Sequence, residues 1–433
     1  MSSPKVVTKE NKALGEKYFY FKHESGLDVY VFPKDLTTSY ALFGTSYGSI
    51  DSYFVPKGKS VYEKVPDGVA HFLEHKMFEC EDGEDLFEKF AVTGASANAY
   101  TSYTSTMYLF SCTENFEESL EILLDGVKSP HFTEENVEKE QGIIAQEIRM
   151  YEDSVHDALF QGLISSMYEK NFVRIPIAGT VESILKITPE ILYKCYDTFY
   201  SLSNMALCVC GNIDVATVIR VCDKMLKDEP SVNIETARCP SNERAEVVSN
   251  RFVRKMRLSK PIFAIGVKDI KISENATERL KKRVIMEALA EYLFGDCSEL
   301  SVSLYEEGMI RNPLSFYVDH NAAFSFIEIG GESDDSEKVF ERFKAYIERV
   351  KTDGISEDVL KRVVRAQYGE LISIFDSVSN IANEFLSFIM DGYDIFDYIE
   401  AYEKINVNDV NTALSELFDE KYYTLATIIP QGE

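Results

Sequence analysis

Two histidines and a glutamate at helical spacing are the residues of this sequence best suited to bind a metal ion. His71, Glu74 and His75 fall within the stretch 69–77, where apolar residues recur at helical spacing without an internal Gly or Pro. On a helix these three side chains share one face. Two neutral imidazoles one turn apart can bind a single Zn²⁺, leaving positions for a carboxylate and a water. The sequence therefore predicts a zinc site in which Glu74 is the general base for that water.

A site of this kind needs a third ligand, which a later helix can supply. The stretch 133–153 opens with a capping Thr and carries its apolar residues in an approximate helical stripe. Glu140 and Glu147 lie seven residues apart, two turns along one side of this helix. One of them could bind the zinc while the other accepts a hydrogen bond from a ligating imidazole. The spacing by itself leaves both assignments open.

Three stretches together resemble the pitrilysin/insulinase family of zinc metallopeptidases. They are H-x-x-E-H at 71–75, which inverts the commoner H-E-x-x-H zinc motif, the stretch 94–102, and the stretch 140–147. The resemblance is closest to the bacterial YmfH-type members and includes the beta-type subunits of mitochondrial processing peptidases. It implies a zinc-dependent peptidase.

The resemblance also assigns a role to each candidate residue. It implies that His71, His75 and Glu147 are the ligands of one Zn²⁺ per chain. It implies that Glu74 is the general base. Glu140 is then the second carboxylate, which holds a ligating imidazole in place.

The substrate is expected to bind along a strand. Residues 97–112 alternate in a way that predicts a single strand. In the resembled family the segment Asn98, Ala99 and Tyr100 borders the catalytic cleft, and the peptide pairs with an exposed sheet edge there. Such pairing supplies main-chain hydrogen bonds whatever the sequence of the peptide. The resemblance therefore makes these three residues the substrate-binding residues.

An internal repeat indicates that the chain uses one α+β unit twice. A shift of 218 residues aligns apolar positions of 187–207 with those of 405–425, and a shift of 223 aligns 133–137 with 356–360. We expect two similar α/β-sandwich domains, each with a mixed, largely antiparallel sheet flanked by helices. By the resemblance, the two domains form half of a clam-shell chamber.

The expected domain boundaries follow from this repeat and from a polar stretch without periodicity. Residues 1–226 are predicted to form the N-terminal zinc-bearing peptidase domain. Residues 227–250 are the predicted linker. Residues 251–433 are predicted to form a homologous, inactive C-terminal domain, since they contain no second H-x-x-E-H.

Composition limits the class of protein. The formal net charge of −27 argues against a nucleic-acid partner, which would require a basic face. The eight cysteines show no C-x-x-C pair, and Cys208 and Cys210 alternate within an apolar run, as buried free thiols do. The polar N-terminus and the lack of a long apolar run predict no membrane span. We therefore expect a cytoplasmic protein.

One departure from the family pattern concerns partners. Many members carry an Arg, and a Tyr seven residues later, in the second unit, where they contact substrate near the zinc. Here Leu304 and Arg311 stand at those places. Either the chain is a weak peptidase alone or another chain supplies those groups. The resemblance implies a heterodimer with a zinc-free sister chain, or a homodimer.

The predicted function is that of a zinc-dependent endopeptidase acting on small unfolded peptides or extended segments. The alternative is a non-catalytic peptide-binding or structural subunit of a peptidase-like heterodimer, a role that the absent Arg and Tyr would suit. Zinc-dependent hydrolysis of a small molecule is a third interpretation, because a motif does not determine the substrate.

Overall fold

Two β-sheets flanked by helices form the framework of this chain, whose computed structural model describes residues 4–81, 83, 85–227, 229 and 242–431. The strands are β1 (Val7–Asn11), β2 (Glu16–Lys22), β3 (Asp28–Pro33), β4 (Ser39–Thr45), β5 (Tyr53–Phe54), β6 (Glu63–Lys64), β7 (Ser96–Thr101), β8 (Thr106–Cys112), β9 (Met205–Gly211), β10 (Arg251–Met256), β11 (Ile262–Asp269), β12 (Ser315–His320), β13 (Ser325–Glu332) and β14 (Tyr423–Pro430). The helices are α1 (Val69–Lys76), α2 (Leu86–Thr93), α3 (Phe116–Lys128), α4 (Glu134–Asp153), α5 (Val155–Met167), α6 (Val181–Ile184), α7 (Pro189–Phe199), α8 (Val215–Met225), α9 (Ala276–Phe294), α10 (Glu299–Glu306), α11 (Ser336–Asp353), α12 (Glu357–Ser373), α13 (Val378–Asp391), α14 (Ile395–Glu403) and α15 (Val407–Leu417). Within the described ranges, no helix has the length and apolar character needed to cross a membrane.

The two large sheets share one strand topology. The first has the order β1-β2-β3-β9-β4-β8-β7 and the second the order β10-β14-β11-β13-β12. From β3 onward they correspond strand by strand. β9 and β14 each pair parallel to the neighbour on one side and antiparallel to the neighbour on the other. This correspondence confirms the predicted pair of similar α/β sandwiches related by duplication.

The starting points of matching elements reproduce the shifts seen in the sequence. β9 begins at Met205 and β14 at Tyr423, 423 − 205 = 218 residues apart. α4 begins at Glu134 and α12 at Glu357, 357 − 134 = 223 residues apart. The repeat therefore records equivalent elements and not a chance likeness of apolar positions.

The packing units interleave along the sequence. Of the described residues, one unit takes those within Met1–Ile148, Pro176–Pro240 and Ile372–Met390, and the other takes those within Arg149–Ile175, Ser241–Leu371 and Asp391–Glu433. By packing, therefore, α5 belongs with the second sheet and most of α13 with the first. The contiguous domains predicted from the sequence do not include this exchange, because a repeat identifies homologous segments and not the sheet that each helix covers.

The predicted linker, 227–250, cannot be followed throughout, because residues 228 and 230–241 of it lie outside the described residues. Beyond them, Glu243 accepts hydrogen bonds from the backbone N–H groups of Glu169, Lys170 and Asn171 and from Lys268. These bonds outweigh the effect of burial and lower the pKa of Glu243 to about 2. The chain is thus fixed within the second unit before β10 begins.

The first sheet is covered on both faces, as its continuous apolar strands require. Every residue of β4 and β9 is buried, including Cys208 and Cys210, which are free thiols. Phe385 of α13 packs its ring against those of Tyr18, Tyr30 and Phe32, with centroids 4.7–5.0 Å apart. The exchanged segment therefore supplies part of the hydrophobic core of the first unit.

The predicted single strand over 97–112 is wrong, because the chain folds there into the hairpin β7–β8. Ser102 Oγ accepts hydrogen bonds from the backbone N–H groups of Thr104 and Ser105 and so stabilises the turn. The sequence contains no Gly, Asn, Asp or Pro at this turn, and the alternating pattern continues through it. A turn stabilised by serine gives no strong signal in the sequence.

Replacing Phe385 with Ala should lower the free energy of unfolding by about 3–5 kcal/mol, because the side chain is fully buried among three aromatic rings. Phe87→Ala is the matched control, since it removes the same atoms from a side chain that is 44% exposed. Urea unfolding of both variants measures the difference. Equal losses would contradict the assignment of α13 to the core of the first unit.

Candidate metal centre

Helix α1 carries His71, Glu74 and His75, and its opposite side anchors it in the core. Val69, Ala70, Phe72 and Leu73 are buried against the first sheet and its helices. The helix begins after Gly68, whose φ of 94° lies in the left-handed region that favours glycine. A Cβ at residue 68 would lie 2.5 Å from the carbonyl oxygen of Ala178. The start of the helix therefore depends on this glycine.

Three side chains converge to form the candidate metal site. His71 Nε2 lies 3.6 Å from Glu147 Oε1, and His75 Nε2 lies 3.4 Å from Glu147 Oε2. One ligand atom from each residue can be chosen so that all three lie within 4.8 Å of one another. Two imidazole nitrogens and a carboxylate oxygen are ligands that Zn²⁺ prefers, and such a set leaves a position open for catalysis. The donor set thus fits a catalytic zinc ion.

Glu140 holds the other nitrogen of one of these imidazoles. Glu140 Oε1 lies 3.0 Å from His75 Nδ1, and the glutamate is only 6% exposed. Burial disfavours the charged form of His75, but its bonds to Glu140 and Glu147 outweigh this and raise the pKa of His75 to about 10. Burial likewise opposes ionisation of Glu140, yet the bond from His75 lowers the pKa of Glu140 overall. A ligating imidazole must be neutral, so a metal ion bound here displaces this proton.

Glu74 stands beside this cluster and is not a member of it. Its Oε2 accepts a hydrogen bond of 2.6 Å from the hydroxyl of Thr101, the last residue of β7. The carboxylate is therefore held in one orientation by the neighbouring strand. The sequence predicts that this carboxylate is the general base.

Sequence reasoning gave no role to Lys76, which follows His75 directly. Its side chain is fully buried and donates to the backbone oxygen of Asn136, near the start of α4. Its Nζ also pairs with Glu79 at 2.5 Å and lies 3.7 Å from Glu140 Oε2. The buried ammonium group of Lys76 on α1 thus joins this helix to α4. The sequence signal that could have predicted this burial is the position of the lysine at the end of an otherwise apolar helix face.

The strand β7 lies at the edge of the first sheet and pairs there only with β8 among the described strands. The N–H of Ser102 donates to the carbonyl of Ser105, so the alternation of an antiparallel pair turns the backbone groups of Ala99 and Thr101 toward the open edge. The N–H of Ala99 meets the side-chain oxygen of Asn98 there, 2.9 Å away. None of the described strands accepts a hydrogen bond from this N–H.

The side chains of β7 divide between its two faces. Thr101 reaches Glu74, and Ala97 and Ala99 pack against the core on the same side. Tyr100 lies on the other face and donates to the side chain of Asn383 in α13. Of the three predicted substrate-binding residues, Ala99 thus presents its backbone to the edge, whereas the Tyr100 side chain is directed away from Glu74.

The two residues that replace the family Arg and Tyr lie in the second unit. Leu304 is fully buried in α10 and so offers no polar group to a peptide. Arg311 pairs with Asp334 at 2.6 Å on the surface. Neither residue reproduces the chemistry of the pair that it replaces.

Family models match most of the chain. Residues 54–181 match insulinase (peptidase family M16), and residues 186–367 match the peptidase M16 inactive domain. The first match contains His71, Glu74, His75 and Glu147. The second contains Leu304 and Arg311.

Individual relatives give the same result. The chain is 39% identical to the uncharacterized zinc protease YmfH of Bacillus subtilis, over 98% of this chain and 99% of the relative. It is 28% identical to the mitochondrial-processing peptidase subunit beta of Caenorhabditis elegans, over 40% of this chain and 38% of the relative. Among solved structures, an M16-like peptidase from Alicyclobacillus acidocaldarius superposes with a TM-score of 0.92 at 31% identity, covering 98% of this chain and 99% of that one.

Gly68→Ala should destabilise the fold more than Gly15→Ala. Both glycines have a positive φ, 94° and 71°, but a Cβ at residue 15 would meet nothing within 4 Å. The left-handed conformation should cost each variant about 1 kcal/mol, and the clash with Ala178 should add about 1–3 kcal/mol at residue 68 alone. Urea unfolding measures both losses. Equal losses would show that α1 does not depend on close contact with the backbone at 178.

Proposed function

We propose that this chain, which belongs to the insulinase family of peptidases (peptidase family M16), is a zinc-dependent endopeptidase. The observation that carries the proposal is the convergence of one ligand atom each from His71, His75 and Glu147 within 4.8 Å, with Glu74 on the helix that carries both histidines. The name of the Bacillus subtilis relative, a zinc protease, supports it. The expected substrates are small unfolded peptides or extended segments.

The proposed metal content is one Zn²⁺ per chain. His71 and His75 would hold it through Nε2, and Glu147 through its carboxylate. Glu140 would hold the imidazole of His75 by its Nδ1 and so determine which nitrogen faces the metal. The chemistry that zinc supplies when bound is Lewis acidity toward a carbonyl oxygen and toward a water.

Glu74 performs the proton transfers. Thr101 occupies its Oε2, which leaves Oε1 to take a proton from the attacking water. The protonated carboxyl then returns that proton to the amine that leaves when the peptide bond breaks. One carboxylate therefore acts first as a base and then as an acid.

The open edge of β7 is the proposed binding site for the peptide. Its outward backbone groups can pair with an extended chain of any sequence, which positions the scissile bond without reading side chains. Asn98 makes the hydrogen bond to the Ala99 N–H that a peptide carbonyl would make. A substrate strand therefore displaces the Asn98 side chain when it pairs with β7.

The second candidate function is a non-catalytic peptide-binding or structural subunit. Buried Leu304 and ion-paired Arg311 favour it, because they leave the second unit without the family Arg and Tyr. The same observation supports a second chain that completes the site, as a zinc-free sister chain or as a second copy. The Caenorhabditis elegans relative is itself named as a subunit.

Glu74→Gln should remove most of the peptidase activity and leave zinc bound, because Glu74 lies outside the donor cluster. His71→Ala, His75→Ala and Glu147→Gln should each lose the metal. Zinc content and cleavage of a quenched peptide, measured on the four variants and the parent, separate a base from a ligand. Loss of the general base should reduce kcat by about 100- to 10,000-fold.

Two results would contradict these assignments. Full zinc content in all three ligand variants would overturn the metal site. A parent chain that binds zinc and cleaves no peptide, with or without a partner, would favour the structural subunit. Chelator-sensitive cleavage by the parent excludes that alternative.

The chain should be dimeric when active. Size-exclusion chromatography with light scattering, on the chain alone and on the chain purified with whatever accompanies it from its host, gives the mass of the active species. A monomer with full activity would contradict both the heterodimer and the homodimer.

A further inference from the structure

The hydrogen bond between Thr101 and Glu74 has a fixed direction. An ionised carboxylate only accepts, so the Thr101 hydroxyl must donate its single proton to Glu74 Oε2. At 2.6 Å between the oxygens, the bond has the length typical of hydroxyl donors to carboxylates, which form roughly twice as strong a bond as neutral pairs do. Thr101 therefore restrains the rotation of the carboxylate and occupies one of its two oxygens.

The position of Thr101 is itself fixed by the neighbouring strand β8. Its partner across the hairpin is Thr106, which is fully buried and donates its own proton to the backbone oxygen of Tyr47. The two hydroxyl oxygens lie 3.5 Å apart. Because the Thr106 proton is directed to Tyr47, Thr106 does not donate to Thr101, and the 2.6 Å contact assigns the Thr101 proton to Glu74. This arrangement orients the donor before any substrate binds.

The backbone of Thr101 belongs to the strand edge where the peptide substrate is proposed to pair. Its N–H and C=O lie among the outward groups of β7, because Ser102 next to it bonds inward to Ser105. A peptide that pairs with this edge is then aligned by the same residue whose side chain orients the base. No sequence signal singles out Thr101 from the other hydroxyl residues between 101 and 106.

We propose that Thr101 is a positioning residue for peptide hydrolysis, which holds Glu74 at a set distance from the strand edge where the substrate pairs. The proposal rests on the proposed peptidase function. It assigns to Thr101 an effect on the rate of the chemical step and little effect on metal binding or on peptide binding. The hydroxyl is the group required, so serine should replace threonine and valine should not.

The test compares Thr101→Val, Thr101→Ser and Thr45→Val with the parent. Valine keeps the shape of threonine and removes the hydroxyl. Thr45 on β4 is the matched control, because its buried hydroxyl lies in the same sheet and donates to the backbone oxygen of Phe199 at 2.7 Å, not to a carboxylate. For each protein, kcat and KM on a quenched peptide, zinc content and the urea midpoint are measured.

Thr101→Val should reduce kcat by about 10- to 100-fold, the range typical of residues that support an active-site group. Its KM should stay within about twofold and its zinc content at the parental value, because neither the ligands nor the backbone edge changes. Thr101→Ser should restore most of kcat. Thr45→Val should lower the urea midpoint without lowering kcat.

Each contrary result has its own meaning. A parental kcat in Thr101→Val, or a rise in KM alone, would overturn the role of Thr101 and leave the peptidase function standing. Loss of zinc in Thr101→Val, or failure of serine to restore kcat, would reduce Thr101 to a structural residue and overturn the proposal. A parent that binds zinc and cleaves nothing would overturn the peptidase function itself, and the role of Thr101 would fall with it.

Discussion

The contact between His75 and Glu140 is the interaction on which the proposed metal centre depends, because it joins α1 to α4 at the point where the candidate donor atoms meet. One helix supplies both imidazoles and the other both carboxylates, so neither helix can form the site alone. Two turns of α4 separate Glu140 from Glu147. A bond that orients His75 through Glu140 therefore also determines where Glu147 approaches the two imidazoles.

Charge balance stabilises this arrangement of side chains. Three carboxylates, those of Glu74, Glu140 and Glu147, gather around the end of α1, and like charges this close repel one another. A protonated His75 and the buried cation of Lys76 offset that repulsion from within the same helix. The neutral hydroxyl of Thr101 donates a hydrogen bond to the carboxylate of Glu74. Each of these contacts thus offsets negative charge at the site.

Local spacing made the candidate ligands predictable, since a helix places residues three and four apart on one face whatever lies around it. The same reasoning anticipated the two carboxylates of α4, and the repeat anticipated the duplicated sheet. Features that depend on tertiary contacts could not be predicted in this way. Thr101 acquires its contact only because a serine turn directs β7 past α1, and Lys76 is buried only because α4 begins beside it. Neither contact can be predicted from the local pattern of the sequence.

The exchange of helical segments bears on how the chain folds during synthesis. The residues of α1, α4 and the first sheet have all left the ribosome before Phe385 of α13 is made. Until then Tyr18, Tyr30 and Phe32 lack the ring that covers them, and the nascent first unit exposes an aromatic surface of the kind that aggregates or recruits chaperones. For the same reason, a fragment ending at residue 226 would lack part of the core of the first unit, although it would contain every proposed zinc ligand. The core of the amino-terminal half is therefore completed only when residues of the carboxy-terminal half are present.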